Sequence, residues 1–184
     1  MDDSITNFLV TGPPRCGKST LIEAVVRLID RPVRGFFTRE TLDSRRRTGF
    51  EIVTLDGLTG VLAHQNFRSR VRVGKYGVNL DDLERVAVSA MIPSDPDEIV
   101  VIDEIGKMEC FSALFRSTLL STLASPNVVI GSIAFRGNSF IEQIKKRPDV
   151  RLLQVTEQNR NSLAKSLADP IRSASTGSLH DSGS

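Results

Sequence analysis

The chain has 184 residues, of which 40% are hydrophobic and 25% charged, and its formal net charge is +2. This composition is ordinary for one soluble globular domain with a proper core. No apolar run reaches membrane-spanning length, and the polar start at 1–4 resembles neither a secretory signal nor a transit peptide. Two cysteines, Cys16 and Cys110, are too few for a disulfide framework, which favours a reducing compartment and a cytoplasmic location.

The positive charge is concentrated in one segment. Residues 31–75 contain ten Arg and Lys against four Asp and Glu, whereas the remainder contains fourteen against eighteen. Such a segment could attract nucleotide or nucleic acid. The alternative is a solvated face with a flexible arginine run at 45–47, and this interpretation is preferred. We therefore expect no nucleic-acid partner and no membrane association, and we expect a monomer.

The first motif is a phosphate-binding loop of the pattern G-x-x-x-x-G-K-[ST]. It consists of Gly12, Pro13, Pro14, Arg15, Cys16, Gly17, Lys18 and Ser19. An apolar run at 8–11 before it predicts a buried strand, and apolar residues at helical spacing over 21–29 predict a helix after it. Strand, loop and helix are the context that this motif requires.

Each part of the loop suits binding to a nucleoside triphosphate. The two glycines let backbone N–H groups converge on phosphate oxygens, and the helix that follows directs its positive dipole end at the same anions. Lys18 can reach the β- and γ-phosphates, and the Ser19 hydroxyl can ligate Mg²⁺.

The segment 33–80 is rich in predicted strands. Apolar runs predict strands at 33–38 and 49–55, with a polar hairpin loop at 39–48, and shorter strands at 61–64 and 70–73. We interpret this segment as a β-rich excursion that packs near the nucleotide site. A helix is predicted from about 79 to 91, before Pro93.

The second motif is the apolar run 99–102 followed by Asp103 and Glu104. Such a run predicts a central parallel strand that is buried on both faces. Acids at its carboxyl end lie where open α/β sheets bind ligands. Asp103 is therefore predicted to hold Mg²⁺ together with Ser19, and Glu104 to act as the general base that polarises the attacking water.

The remaining elements complete an α/β domain. We predict a helix over 111–123, a strand over 128–133, a helix over 139–146, a strand over 150–155 and a closing helix over 161–167. In phosphate-loop proteins with an Asp-Glu strand end, the 128–133 strand typically inserts between the other two. Its Ser132 could then contact the γ-phosphate or the water, or could bond to the backbone. The fold class is a phosphate-loop NTPase whose mainly parallel sheet is flanked by helices. The domain spans 1–172, and 173–184 is a polar tail predicted to be disordered.

The heptad over 103–109, together with Gly12-Pro13-Pro14 and Lys18, resembles the small phosphate-loop nucleoside-triphosphatase family of thermophilic prokaryotes and animals, which includes the cancer-related type. Further stretches agree over residues 5–172, at 35–40, 49–50, 74–76, 131–133 and 156–160. The resemblance implies Mg²⁺-dependent hydrolysis of nucleoside 5′-triphosphates (ATP, GTP and others) to diphosphates, with broad base tolerance.

The resemblance also implies a nucleotide-binding set. Its first segment is Gly12 to Thr20, and its second is Ile102, Asp103, Glu104, Ile105, Gly106, Lys107, Met108 and Glu109. Lys107 and Glu109 rest mainly on the resemblance, and Lys107 could equally be a surface lysine. Asn159 and Arg160 follow the last strand; Arg160 could help to frame the base or, like Arg136, supply an arginine finger.

Arg15 departs from the family, which commonly has glycine there. A non-glycine residue in the left-handed region costs roughly 1–2 kcal/mol. Its guanidinium could lean over the phosphates as an in-cis arginine finger and act in catalysis with Lys18 and Glu104, or it could point to solvent.

Two other function classes fit parts of the sequence. A nucleoside or nucleotide kinase would use the same loop, with an acceptor hydroxyl in place of water. A non-hydrolysing nucleotide switch or a nucleic-acid-linked module is the third interpretation. A guanine-reading Asn-Lys-x-Asp motif is absent from the sequence, which weakens a guanine-specific switch.

Overall fold

The computed structural model describes residues 5–173, which form one sheet covered by helices. The predicted tail lies outside the described residues except for Ser173, which ends the last helix. Within the described residues the strands are β1 (Asn7–Thr11), β2 (Val33–Asp43), β3 (Arg46–Thr54), β4 (Thr59–His64), β5 (Arg72–Val73), β6 (Tyr76–Val78), β7 (Ile99–Ile105), β8 (Val129–Ile133) and β9 (Val150–Gln154). The helices are α1 (Lys18–Leu28), α2 (Leu80–Asp82) with a π-helical continuation (Leu83–Val88), a 3₁₀ turn (Glu109–Phe111), α3 (Ala113–Leu123), α4 (Ser139–Lys145) and α5 (Arg160–Ser173).

The sheet has a parallel half and an antiparallel half. Its strand order is β5-β6-β4-β3-β2-β7-β8-β1-β9, and the neighbours from β2 to β9 are parallel. Strands β1, β7 and β8 are continuous buried runs because helices cover both of their faces. Strand β8 lies between β7 and β1, which confirms the predicted insertion and the fold class.

The antiparallel half is the predicted β-rich excursion, and it corrects one prediction. Residues 39–48 were predicted as a hairpin loop, but β2 and β3 continue to Asp43 and from Arg46. Only Ser44 and Arg45 form the turn, both with positive φ (46° and 67°). A two-residue turn of this kind matches the twist of the flanking strands, so the ladder extends through the charged residues.

Hydrophobic residues fill both faces of the sheet. On one face, a core that includes Phe8, Val10 and Phe37 packs against α1 and α5. On the other face, a core that includes Phe36 and Phe115 packs against the π-helical segment, α3 and α4. Side-chain caps fix three helix starts, with oxygens of Asn79, Ser112 and Asn138 accepting from backbone N–H groups three residues later. Among the described residues, no helix is long and apolar enough to cross a membrane.

Gly35 sets the contact between β2 and β7. Its φ is +119°, and a Cβ at this position would lie 1.9 Å from the carbonyl oxygen of Val101. Gly57 provides a comparison, since its φ is +90° but nothing lies within 4 Å of the same point. Substitutions at the two glycines can therefore separate the energetic cost of backbone strain from the cost of steric overlap.

We expect Gly35→Ala to lower the free energy of unfolding by about 3 kcal/mol or more, because strain and overpacking add. Gly57→Ala should cost only about 1–2 kcal/mol, the cost of the left-handed backbone alone. Urea unfolding of both variants measures the difference. Equal losses would show that the close approach to Val101 is relieved without cost.

Candidate functional site

The phosphate loop runs from the end of β1 to the start of α1. Gly17 takes φ +97° and Arg15 takes φ +66°, which places Arg15 in the left-handed region anticipated from the family's glycine. A Cβ on Gly12 would lie 2.5 Å from the carbonyl oxygen of Val155, so the loop is wedged against the end of β9. Cys16 is buried beneath the loop, and its sulfur would contact the same Cβ position at 2.8 Å.

Lys18 lies across the loop that it follows. Its Nζ donates to the carbonyl oxygens of Gly12 (3.3 Å) and Pro13 (3.5 Å). The same Nζ lies 3.9 Å from Oε1 of Glu104, and the lysine side chain is only 13% exposed. A largely buried ammonium group at the N-terminus of a helix is well placed to bind phosphate oxygens.

Asp103 lies near the carboxyl end of β7 and is buried. Its Oδ1 accepts a hydrogen bond from the Ser132 hydroxyl, and its Oδ2 is buried without a hydrogen-bond partner. Burial raises the pKa of Asp103, while the hydroxyls of Ser132 and Ser19 and the charge of Lys18 oppose that rise. The Ser132 hydroxyl thus donates to a carboxylate, a partner that differs from both the phosphate or water and the backbone considered for it above.

The orphaned oxygen of Asp103 and the exposed Ser19 fit the predicted Mg²⁺ site. The described residues contain no group of three or more His, Cys, Asp and Glu side chains that could hold a metal. Proteins usually hold Mg²⁺ through one or two carboxylates together with substrate phosphates and water.

Glu104 is the next residue and is more open than Asp103. Its side chain is 38% exposed, and the pairing of β7 with β8 becomes irregular between Ile102 and Ile105. Burial raises the pKa of Glu104, Asp103 raises it further, and Lys18 lowers it. A partly exposed carboxylate beside the phosphate loop has the access that a base needs to reach a water molecule.

Glu109 is a buried carboxyl group in the same region. A Cβ on Gly106 would lie 2.7 Å from Oε2 of Glu109 and 3.6 Å from Oε2 of Glu104, so this glycine lets both carboxyl groups approach. Burial, with the charges of Glu104 and Asp103, raises the pKa of Glu109 from 4.5 to about 8. Only the family resemblance pointed to this residue, because a buried glutamate has no sequence signature.

The other residues of the segment 102–109 differ from one another in their exposure to solvent. Ile102 and Ile105 are fully buried in the core, so only their backbone can contact a nucleotide. Met108 packs against the core on its half-buried side, and Lys107 is exposed.

Asn159 and Arg160 lie beside the phosphate loop. Asn159 Oδ1 accepts from the Thr156 N–H (2.8 Å), and its Nδ2 donates to the Gln154 carbonyl (3.0 Å). These bonds fix the turn that leads into α5. Arg160, the first residue of α5, lies over Gly17, and a Cβ on Gly17 would be 2.9 Å from the Cδ and Nη1 atoms of Arg160. The structure thus brings Arg160 to the loop, whereas Arg136 is exposed after β8.

Arg15 points away from the loop toward the β2–β3 hairpin. Its side chain is 81% exposed, and its Nη2 lies 4.0 Å from Oε2 of Glu40. Sequence reasoning missed Glu40 as a neighbour of the loop, because 39–48 was predicted as a loop rather than as strands. The proposed run of flexible arginines is also wrong at Arg47, which bonds to Glu40 at 2.6 Å.

A family model described as NTPase matches residues 7–168 of this chain. The chain belongs to the NTPase family. Among its relatives, the nucleoside-triphosphatase THEP1 of Thermotoga maritima is 40% identical over 166 residues, covering 90% of this chain and 95% of that protein. The human cancer-related nucleoside-triphosphatase is 36% identical over 185 residues, covering 91% and 97%.

Two solved structures of NTPase family members resemble this one. The crystal structure of THEP1 from Aquifex aeolicus superposes with a TM-score of 0.81 at 33% identity, covering 90% of this chain and 98% of that one. The solution structure of a human cancer-related nucleoside triphosphatase gives 0.78 at 35% identity, covering 91% and 97%. The family makes this chain a hydrolase, and the kinase alternative is not favoured.

The raised pKa of Glu109 predicts a pH-dependent stability. The folded protein keeps its proton up to about pH 8, whereas the unfolded chain releases it near 4.5. The contribution of Glu109 to stability is therefore complete below pH 4.5 and is lost as the pH rises through about 8.

We expect Glu109→Gln, which keeps a neutral side chain, to gain stability relative to the wild type between pH 5 and 8, by at most about 1.4 kcal/mol per pH unit. Urea unfolding across this pH range measures the difference. Glu142→Gln is the control, because hydrogen bonding and the charge of Lys145 lower the pKa of that exposed group. A difference between wild type and Glu109→Gln that stays constant with pH would contradict the prediction.

Proposed function

We propose that this NTPase catalyses Mg²⁺-dependent hydrolysis of nucleoside 5′-triphosphates to diphosphate and phosphate, with broad tolerance of the base. The observation that carries the proposal is the meeting of Lys18, Asp103 and Glu104 at the carboxyl ends of β1 and β7. This arrangement places a cation, a buried carboxylate and an accessible base around one anion-binding loop.

Substrate binding would use the loop amides, the N-terminus of α1 and Lys18. Lys18 now contacts loop carbonyls and Glu104, and phosphate oxygens are stronger partners for its ammonium group. Ser19 and Asp103 would hold the Mg²⁺, whose chemistry when bound is to neutralise charge on the phosphate oxygens.

Glu104 would take the proton of the attacking water. The water oxygen forms a bond to the γ-phosphorus while its proton passes to the Glu104 carboxylate. The bond from the γ-phosphorus to the bridging oxygen breaks, and the leaving diphosphate keeps the electron pair. The raised pKa of Glu104 strengthens it as a proton acceptor. Lys18 and the loop amides stabilise the charge that develops on the leaving diphosphate.

The turn before α5 supports the proposal of broad base tolerance. Asn159 makes one bond from each amide atom to the backbone of Thr156 and Gln154, which halves the hydrogen-bonding capacity that its side chain has for a base. Arg160, over Gly17, would contact phosphate or sugar groups that all nucleotides share.

We further propose that the substrates are free nucleotides, such as ATP and GTP, that a monomer suffices for hydrolysis, and that the enzyme works in the reducing cytoplasm. Both cysteines, Cys16 and Cys110, are free and buried, which supports the choice of compartment.

Glu104→Gln should lower phosphate release at least about 100-fold, since removal of a general base typically costs this much. Nucleotide binding should persist, because the loop and Lys18 are intact. Phosphate release from a panel of nucleoside triphosphates with Mg²⁺ measures activity, and the spread across the panel measures base tolerance. Glu142→Gln on α4 is the matched control. Retained hydrolysis in Glu104→Gln would contradict the proposed role of Glu104 as the general base.

Arg15→Gly tests the arginine finger. Removing the side chain relieves the left-handed backbone (roughly 1–2 kcal/mol), while glycine adds about 0.5–1 kcal/mol of unfolded-state entropy. We therefore expect a small change in unfolding free energy, together with lower turnover if Arg15 moves from Glu40 to the phosphates. Unfolding curves and turnover at saturating substrate separate the two effects. Unchanged or higher turnover would contradict a catalytic role.

A further inference from the structure

The β2–β3 hairpin forms a wall beside the phosphate loop. The last pair of the β2–β7 ladder is Phe37 with Asp103, so the residues of β2 from Thr38 to Asp43 extend beyond the part of β7 with which β2 pairs. Strand β3 accompanies them, paired as far as Asp43 with Arg46. Side chains of this extension therefore stand above the edge of the sheet where the nucleotide site lies.

One carboxylate in this wall is shared by two guanidinium groups. Glu40 Oε1 lies 2.6 Å from Nη1 of Arg47, and its Oε2 lies 4.0 Å from Nη2 of Arg15 on the phosphate loop. Arg15 and Arg47 thus face the same point from opposite sides. The first contact is close and the second is loose.

Arg47 is held rigidly in place. Its Nε donates to the Tyr76 hydroxyl (3.0 Å), and its guanidinium carbon lies 5.2 Å from the centre of the Phe50 ring and 5.8 Å from that of Tyr76. Lys75 adds to this support, since its Nζ donates to the Arg47 carbonyl (3.2 Å) and to Oε1 of Gln65 (3.3 Å). We name Arg15 and Arg47 around Glu40 the hairpin cation cluster.

The hairpin cation cluster has more positive charge than it neutralises. It contains two cations and a single carboxylate, and the side chains of Arg47 and Arg15 are 39% and 81% exposed. Two guanidinium forks that converge on one carboxylate also match a phosphate, which can accept bidentate hydrogen bonds from both. Arg15 is itself a residue of the phosphate loop, whereas Arg47 lies on the hairpin, outside the nucleotide-binding set.

We propose that the hairpin cation cluster is a second phosphate-binding subsite that takes a free phosphate dianion beside the nucleotide, in competition with Glu40 for Arg15 and Arg47. This inference rests on the proposed function for the occupied phosphate loop. The phosphate group could come from the inorganic phosphate released by hydrolysis or from a second phosphorylated molecule.

The test measures binding of inorganic phosphate to the enzyme saturated with a non-hydrolysable nucleoside triphosphate analogue and Mg²⁺, so that the β- and γ-phosphate positions at the phosphate loop are both filled. Titration calorimetry should detect phosphate binding to the wild type. Arg47→Gln should weaken it about tenfold through loss of a charged fork. Arg46→Gln, on the same hairpin but outside the cluster, should change it less than about twofold. No binding to the wild type, or equal losses in the two variants, would overturn the proposal.

Arg15→Gln is the second variant, because Arg47→Gln also removes the bond to Tyr76 and could unfold the hairpin. It should weaken phosphate binding several-fold while the melting temperature stays within a few degrees of the wild type; unchanged phosphate affinity would overturn the proposal. A nucleoside monophosphate added to the same complex distinguishes the sources. Displacement of bound phosphate by the monophosphate indicates a second phosphorylated molecule, and binding of inorganic phosphate alone indicates the product. Triphosphate hydrolysis without phosphate binding would defeat this inference and leave the proposed function standing.

Discussion

Three carboxyl groups lie close together at the centre of this structure, and a single amine offsets the charge of two of them. Asp103, Glu104 and Glu109 lie in one region, burial raises the pKa of each, and Lys18 is the cation that lowers the pKa of the first two. Burying these carboxylates away from water costs free energy of folding unless a positive charge lies nearby. The fold accepts this arrangement because parallel strands bring the ends of β1 and β7 to one edge, where the loop and α1 supply Lys18. Phosphate binding and charge balance are therefore properties of the same few residues.

The sequence predicted the centre of this site well because its signals are local. The loop needs only a strand before it and a helix after it, and the Asp103-Glu104 pair needs only a buried run before it. A general rule for parallel sheets then brings the two motifs together without any knowledge of particular contacts. The place of β8 between β7 and β1 has a different basis, because it was predicted from what is typical of phosphate-loop proteins with an Asp-Glu strand end.

The wall beside the site could not be predicted in this way. Its charged residues have no alternating apolar pattern, so Arg39 to Thr48 read as a loop although the ladder continues to Asp43. The hairpin is held in place by contacts between residues that are distant in the sequence, such as that of Arg47 with Tyr76, 29 positions later. Glu109 illustrates a similar limit, because its burial beside Gly106 contradicts the usual exposure of glutamate. Tertiary packing determines whether such residues are buried or ordered, and the periodicity of apolar residues in the sequence does not reveal that packing.

The bracing of the phosphate loop by the last strand has a consequence for synthesis on the ribosome. Gly12 abuts the Val155 carbonyl, the Val155 N–H donates to the Thr11 carbonyl (2.7 Å), and Arg160 lies over Gly17. The motif that leaves the ribosome earlier is therefore supported by a segment that leaves later. A nascent chain that has emerged only through β8 carries the whole phosphate-loop sequence without its supports. We expect nucleotide to assist folding only once β9 joins the sheet and the loop acquires its shape.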